Sequence, residues 1–540
     1  MARIGSFIAR FGVLVGSILI ASWFFQGAFQ GRSVGRVDSG AIEEVLRHIT
    51  EQFVDTVNQS ELIDSAIEAL VDGLDDPHTS FIDNQAWESF RLQTGADSDY
   101  GGVGLEILRR DSLVTVVTAI PGGPAIRSGI KPGDRILSIE GESAKNWDSD
   151  QVADRLRGRE GSDVNLTVAR PGVDEPIPFQ LTRAVIELRS VPFTKLLRGS
   201  VGYVPLQVFS ETSGREVKEA LDSLRQQGME SLILDLRDNP GGLLDEGVAV
   251  TDLFLKDQLT ILETKGRNDT RVEHIESTTS ESNEDLPVVV LVNANSASSS
   301  EIVAGALQDH DRALIIGNRS YGKGSVQTLY KLNNGDVLRL TTARWYTPVG
   351  RSIHRDSEDQ MDVNNSESMK LALSGQMVQV DNVEGRPVLK SVGGRDLYGG
   401  GGITPDISVV LDTLSSTEAD AVQRIFRSAS SFTAGLFNYA VRYVQRNPGL
   451  PNQLQLESSD LEVFFQDLST ENEGMLERLD FENGIRFIKY QLEREIALHA
   501  WGPQGAFEQT WESDTQITKA LELLEDSESP EELLGLTVRH

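Results

Sequence analysis

The chain of 540 residues contains no cysteine. That excludes a disulfide framework, a thiolate nucleophile, an iron–sulfur cluster and a cysteine zinc site in any compartment. Basic residues are scarce as well: 50 Lys and Arg stand against 82 Asp and Glu, a formal net charge of −32. A nucleic-acid binder needs a face that neutralises phosphate, so no nucleic-acid partner is expected. The acid is spread along the chain instead of gathered in a tail, which predicts a solvated acidic surface suited to high salt. Aromatic residues are only 6% and hydrophobic residues 39%, a low but globular composition. No His-Glu-x-x-His occurs and the 7 histidines are scattered, which removes a zinc protease and leaves a chymotrypsin-like serine without its partners. No long internal repeat is present. No metal and no cofactor are expected.

What is present begins with Arg3 and Arg10, followed by an apolar stretch from Phe11 to Phe29 broken by Ser17, Ser22 and Gln26. Its length suits a helix crossing a bilayer. Without a clean Ala-x-Ala cleavage site it reads as an uncleaved signal and anchor over residues 1–37, with the body of the chain outside the cytoplasm, on the periplasmic side of an inner membrane. Over 38–95, Ile42, Val45, Leu46, Ile49 and Phe53, then Leu62, Ile63, Ile67 and Leu70, recur at helical spacing. Residues 96–186 form short β-rich runs between Pro-Gly and Gly-Gly turns. Over 187–412 strands alternate with helices, predicting an α/β layer with buried, partly parallel strands. A polar surface insertion falls at about 355–397. Residues 413–540 read as helices only. The fold class is therefore multidomain, α/β plus β.

In the β-rich module, Tyr100-Gly101-Gly102-Val103-Gly104-Leu105 runs straight into a strand. A Gly-rich turn there lets backbone N–H groups converge on an anion such as a peptide carboxylate. The strand through Leu105 and Ile107 can pair with that peptide, while a helix over Ser149–Leu156 presents Val152 and Leu156 to its last side chain. With Pro121-Gly122-Gly123-Pro124 and Gly129-Ile130-Lys131-Pro132-Gly133-Asp134, four segments in order resemble a PDZ domain. The resemblance implies peptide binding by Gly102, Val103, Gly104, Leu105, Ile107, Val152 and Leu156.

Pro287–Asn293 reads as a buried strand delivering Ser296-Ala297-Ser298-Ser299-Ser300 to a helix start. Partial positive charge and free N–H groups lie there, where an oxyanion would form. Ser298-x-x-Glu301 is also a capping box, an ordinary way to begin a helix. A second strand, Arg312–Ile316, leads to Gly317-Asn318-Arg319-Ser320-Tyr321-Gly322-Lys323-Gly324-Ser325-Val326-Gln327. If the next strand begins at Lys323, then Lys323, Ser325 and Gln327 share one face. A lysine serves as general base only when neutral, so Lys323 must be desolvated. Gly317-x-x-x-x-Gly322-Lys323 approaches a phosphate-binding loop, but position 324 is Gly where Ser or Thr must hold magnesium, and a strand follows where a helix is needed. Asp235-Leu236-Arg237-Asp238-Asn239-Pro240-Gly241-Gly242 ends a third strand in a turn with exposed amides.

These segments, with Leu74–Ser80 and Gly402-Ile403-Thr404-Pro405-Asp406, resemble the carboxyl-terminal processing or tail-specific proteases over about residues 40 to 410. The residues themselves leave four serines open. The resemblance selects Ser298 as nucleophile, Lys323, twenty-five positions later, as base, and Gln327 as its support. It implies oxyanion donors at the backbone N–H groups of Gly241 and Ser299; relatives usually carry Ala at the latter position, and only its N–H is used. The implied activity is endoproteolysis through an acyl-enzyme, on extracytoplasmic proteins captured by their C-terminal tails. The alternative is a membrane-tethered, inactive PDZ scaffold, against which Ser298, Lys323 and Gln327 stand together. The C-terminal helices are left with an oligomer or adaptor surface as their expected use.

Overall fold

The computed structural model describes residues 40–84, 87, 100–110, 113–120, 122–171, 173–186, 189–279, 283–355, 369–379, 386–428, 432–451, 453–471 and 476–536. The apolar stretch Phe11 to Phe29 and the polar run 356–368 lie outside them. No helix among the described residues is long and apolar enough to cross a membrane. The chain divides into two compact units, Met1–Phe81 and Ile82–His540.

In the first unit, α1 (Gly40–Gln52) and α2 (Gln59–Asp72) follow the apolar spacing. Asn58 caps α2 by accepting the Ser60 N–H at 3.1 Å. Ile42, Val45 and Leu70 of the apolar stripe are exposed. The Asp76-Pro77-His78 turn is held by Asp76, which accepts the His78 N–H.

The second unit opens with an antiparallel meander: β1 (Leu105–Arg110), β2 (Leu113–Ala119), β3 (Arg135–Ile139), β4 (Asp163–Ala169) and β5 (Ile177–Thr182), adjacent in that order. Val164, Leu166 and Val168 of β4 alternate inward, as period-2 patterning requires. Helix α3 (Ser149–Leu156) is started by a capping box between Asp148 and Gln151 and buries Val152 and Leu156. β1 is an edge strand and α3 packs beside it.

The central sheet runs β6 (Lys195–Leu197), β7 (Val201–Pro205), β8 (Ser231–Asp235), β9 (Val288–Val292), β10 (Leu314–Gly317), β13 (Ile407–Ser408). β6 is antiparallel to β7. All later neighbours are parallel, aligning Val204 with Leu234, Leu234 with Val290 and Val290 with Ile315. Because β7 through β10 are laid down in sequence order with right-handed crossovers, their helices must fall on one face. These are α4 (Ser213–Gln226), α5 (Leu244–Asp252) and α6 (Ser299–Asp309), which bury Leu221, Val250, Val303 and Leu307 against Leu234, Val290 and Ile315. The other face carries Tyr203, Ile233, Val289, Leu291, Leu314 and Ile316. It is covered by α12 (Thr515–Glu525) and α13 (Pro530–Gly535) through Ile517, Leu521, Leu524 and Leu533. A parallel sheet needs both faces covered, so the end of the C-terminal region is the second layer of the core. The rest of that region, α7 (Ser416–Ser428), α8 (Phe432–Arg446), α9 (Ser458–Glu471), α10 (Arg478–Asn483) and α11 (Ile485–Thr510), packs around Phe432, Phe464 and Phe487. It also meets the meander: a Cβ on Gly133 would lie 2.7 Å from Val441 of α8. A separate antiparallel layer holds the hairpin β11 (Ser325–Lys331) and β12 (Val337–Tyr346), with Thr260–Lys265 pairing β12.

Candidate active site

Three loops leave the C-terminal ends of β8, β9 and β10, where open α/β sheets place their ligands. The serines of the β9 loop divide by what their hydroxyls do. Ser296 Oγ donates to Leu236 O at 2.8 Å and accepts from Asn293 N. Ser299 Oγ donates to Leu243 O at 3.1 Å, and Ser300 Oγ to Asn239 O at 2.9 Å. These three are buried and tie the β9 loop to the β8 loop. Ser298 is half-buried and sits at the N-terminus of α6 with φ +53 and ψ −114. A non-glycine residue so held is strained, and such strain collects at functional positions.

The Asn-Pro-Gly-Gly turn backs onto Ser298. Gly241 has φ +93, and a Cβ there would fall 2.7 Å from both Ala297 O and Ser298 Cβ, so only glycine permits the approach. The Gly241 N–H donates to Asn239 Oδ1 at 2.9 Å and is therefore engaged in this conformation. The Ser299 N–H has no partner among the described residues.

The lysine loop is pressed between neighbours through its glycines. A Cβ on Gly322 would lie 2.9 Å from Arg355 Cβ, and one on Gly324 2.9 Å from His354 N. Lys323 between them is half-buried, and Trp345 Nε1 donates to its carbonyl at 3.1 Å. Burial, then the positive charge of Arg339, lowers the Lys323 ammonium below its usual range, against a smaller opposing pull from Glu301. Strand β11 begins at Ser325, two residues later than the alternation requires, and its register shifts between Val326 and Gln327. Gln327 Nε2 accordingly donates to Ser325 Oγ at 2.9 Å and Thr341 Oγ1 at 3.3 Å. Among the described residues, no hydrogen bond joins Ser298 to Lys323 or Lys323 to Gln327.

Glu301 is what joins the loops. Its Oε2 accepts the N–H groups of Ser298 and Lys323, both at 2.9 Å. Its Oε1 accepts Gly322 N at 2.7 Å and Ser320 Oγ at 2.6 Å. Complete burial raises its carboxyl above the usual range, while these donors pull the other way. The sequence shows Glu301 only as half of a capping box, since its second loop lies some twenty residues away. The same contacts remove the phosphate-loop alternative, because the amides that would cradle a phosphate hold this carboxylate. Ser320 also takes Ile403 N at 2.6 Å, so the Gly-Ile-Thr-Pro-Asp segment braces the lysine loop. Asp309 pairs with Arg351 in full burial. Arg237 pairs with Asp235 and Asp514; burial alone would lower its guanidinium, and the two carboxylates outweigh that and raise it.

In the meander, Gly102 exchanges backbone hydrogen bonds with Ala184, donating at 2.9 Å and accepting at 3.0 Å. Its N–H is thus spent, and the Val103 and Gly104 amides are the open donors among the described residues there. Leu105 and Ile107 lie on the free edge strand, partly buried. Val152 and Leu156 are 0% and 4% exposed, packed with Val103 in the module's own core. The inward stripe of so short a helix thus serves the module's core.

Comparison with known proteins adds family evidence to this geometry. Residues 200–363 match peptidase family S41, residues 115–170 the PDZ domain, and residues 30–86 the activating protease CtpB N-terminal domain. A carboxy-terminal-processing protease of Bartonella bacilliformis is 37% identical over 57% of this chain and 71% of that protein. The chain belongs to this family of serine peptidases. A probable CtpA-like serine protease of Staphylococcus aureus is 31% identical over 63% of this chain and 69% of that protein. The solved photosystem II D1 C-terminal processing protease is 29% identical over 59% of this chain and 91% of that one, with a TM-score of 0.35. The PDZ match covers most of β2 through β4 of the meander, and the peptidase match spans the three loops.

Proposed function

We propose that Ser298 is the nucleophile and Lys323 the general base of an endopeptidase that cuts proteins delivered by their C-terminal tails. The observation that carries the reading is the contrast within the serine run. Three hydroxyls are structural ties, while Ser298 is half-buried and strained at a helix N-terminus, its N–H on the same carboxylate oxygen as that of Lys323. Neutral Lys323 takes the Ser298 proton as Oγ attacks the scissile carbonyl. The tetrahedral oxyanion faces Ser299 N–H and the Gly241 turn. Lys323 then protonates the leaving amine, and water hydrolyses the ester.

The conformation described is a resting one on this reading. Gly241 N–H must leave Asn239, Ser298 Oγ must come within reach of Lys323 Nζ, and Gln327 must turn from Ser325 toward the lysine. The PDZ domain captures the carboxylate on the Val103 and Gly104 amides and adds the tail as a strand to β1. Its docking supplies the shift that assembles the site. The boundaries proposed are 38–95, 96–186, 187–412 and 413–540, with 1–37 as an anchor holding the enzyme on the extracytoplasmic side of a membrane.

The test is cleavage of an unfolded reporter with an apolar C-terminal tail, compared among the wild type, Ser298→Ala and Lys323→Ala. Activity is expected in the wild type alone. Cleavage surviving in Ser298→Ala overturns the nucleophile, and cleavage surviving in Lys323→Ala overturns the base.

A further inference from the structure

The region after residue 412 carries no chemistry in its sequence, yet one of its side chains reaches two catalytic loops. Gln516, in the first turn of α12, is fully buried. Its Oε1 accepts from Arg237 Nη1 at 3.0 Å, and its Nε2 donates to Asn318 Oδ1 at 3.0 Å and to Val409 O at 2.9 Å. Arg237 follows β8 and Asn318 follows β10. Gln516 therefore bridges loops that leave strands two places apart, about 10 Å at ordinary strand spacing, across the Ser298 loop between them. Asp514, the N-cap of α12, divides its carboxylate. Oδ1 caps the helix through Gln516 N and Ile517 N, and Oδ2 accepts from Arg237 Nη1 at 2.8 Å.

We propose that Gln516 and Asp514 are positioning residues for peptide cleavage, setting the separation of the oxyanion turn and the lysine loop. The inference rests on the Ser298/Lys323 reading above. Arg237 stands two residues before Asn239, whose side chain holds Gly241 N–H and whose carbonyl accepts Ala297 N and Ser300 Oγ. Asn318 stands two residues before Ser320, which donates to Glu301. Asn318 Nδ2 has no partner among the described residues, so Gln516 is what fixes that side chain. Docking of α12 does not require this: Ile517, Leu521 and Leu524 already bury its apolar face, and a buried amide costs desolvation that an apolar residue avoids. Other polar links between the C-terminal region and the core, Lys195 to Glu508 and Arg198 to Glu525, join β6 and the turn after it, at the far edge of the sheet.

The experiment uses the full chain with the tailed reporter and compares Gln516→Leu, Asp514→Ser and Glu525→Ala. Serine keeps a good N-cap while removing the reach to Arg237. Melting temperature and the fraction of active serines, titrated with a fluorophosphonate, correct for folding. Gln516→Leu and Asp514→Ser are expected to lower kcat per titrated serine roughly tenfold, with KM changed less than about twofold. Glu525→Ala is expected to leave kcat unchanged. An unchanged kcat in Asp514→Ser overturns the proposal, and this variant decides alone if Gln516→Leu does not fold. An equal loss in Glu525→Ala also overturns it, by showing a general effect of loosening the C-terminal region. Failure of the nucleophile reading is separate, because it appears as cleavage by Ser298→Ala.

Discussion

Ser298 and Ser300 stand two positions apart and differ in how deeply the fold holds their hydroxyls. Ser300 is fully buried with its hydroxyl on Asn239 O. Ser300→Ala leaves Asn239 O with the Ala297 N–H as its remaining donor and should cost about 0.5–1.5 kcal/mol in denaturant unfolding. Ser298→Ala removes only the capping-box hydroxyl at the start of α6, so stability should fall by no more than about 1 kcal/mol while cleavage disappears. Lys323 carries its charge at a cost in the folded protein, because burial disfavours the ammonium. Its folded pKa lies below the unfolded value of 10.5, so the protonated form is the one that burial penalises. The protein accordingly gains stability as pH rises from the folded pKa toward the unfolded one. Lys323→Met should melt at a higher temperature than the wild type at neutral pH and be inactive. If Lys323 is the base proposed above, kcat/KM in the wild type should rise with pH along a limb set by a group below 10.5, and a limb at or above 10.5 would refute its desolvation.

Among the elements, the lysine loop shows why glycine flanks Lys323. Gly322 has φ +94, and a Cβ there meets Arg355 Cβ at 2.9 Å and Gly401 C at 3.1 Å. Gly322→Ala should cost about 1–3 kcal/mol from the backbone conformation alone. It should also lower kcat by an order of magnitude or more, because the loop can relieve the clash only by leaving Glu301. Peptide binding to the PDZ domain, measured by fluorescence anisotropy, should stay within about twofold, since that groove lies on another sheet. A matching loss of peptide affinity would mean that the two elements are one cooperative unit.

For the whole molecule, the decisive feature is that the sheet borrows its second layer from the end of the chain. Leu521 is fully buried against that face. Leu521→Ala should destabilise the enzyme by about 2–5 kcal/mol, as other buried leucine truncations do, and lower the midpoint of cooperative urea unfolding. If the C-terminal helices were an appended module, the peptidase transition would stay in place while a separate one moved.

Much of this was legible in sequence because it is local. The α/β alternation, the β-rich module with its Gly turns, and the helical C-terminal region each follow from periodicities set within ten or twenty residues. The serine run and the Gly-Lys-Gly loop are each contiguous, and a family resemblance chose among the serines. The strain at Ser298, the engaged Gly241 amide, the burial of Val152 and Leu156 in the module's core, and the turning of Gln327 to Ser325 were decided by tertiary packing. So were the roles of Glu301, Asp514 and Gln516, residues whose sequence context shows at most a helix cap. The reason is physical: a hydrogen bond between loops on different strands carries no periodicity along the chain. It appears only when a parallel sheet brings the ends of β8, β9 and β10 side by side and a distant helix closes over them.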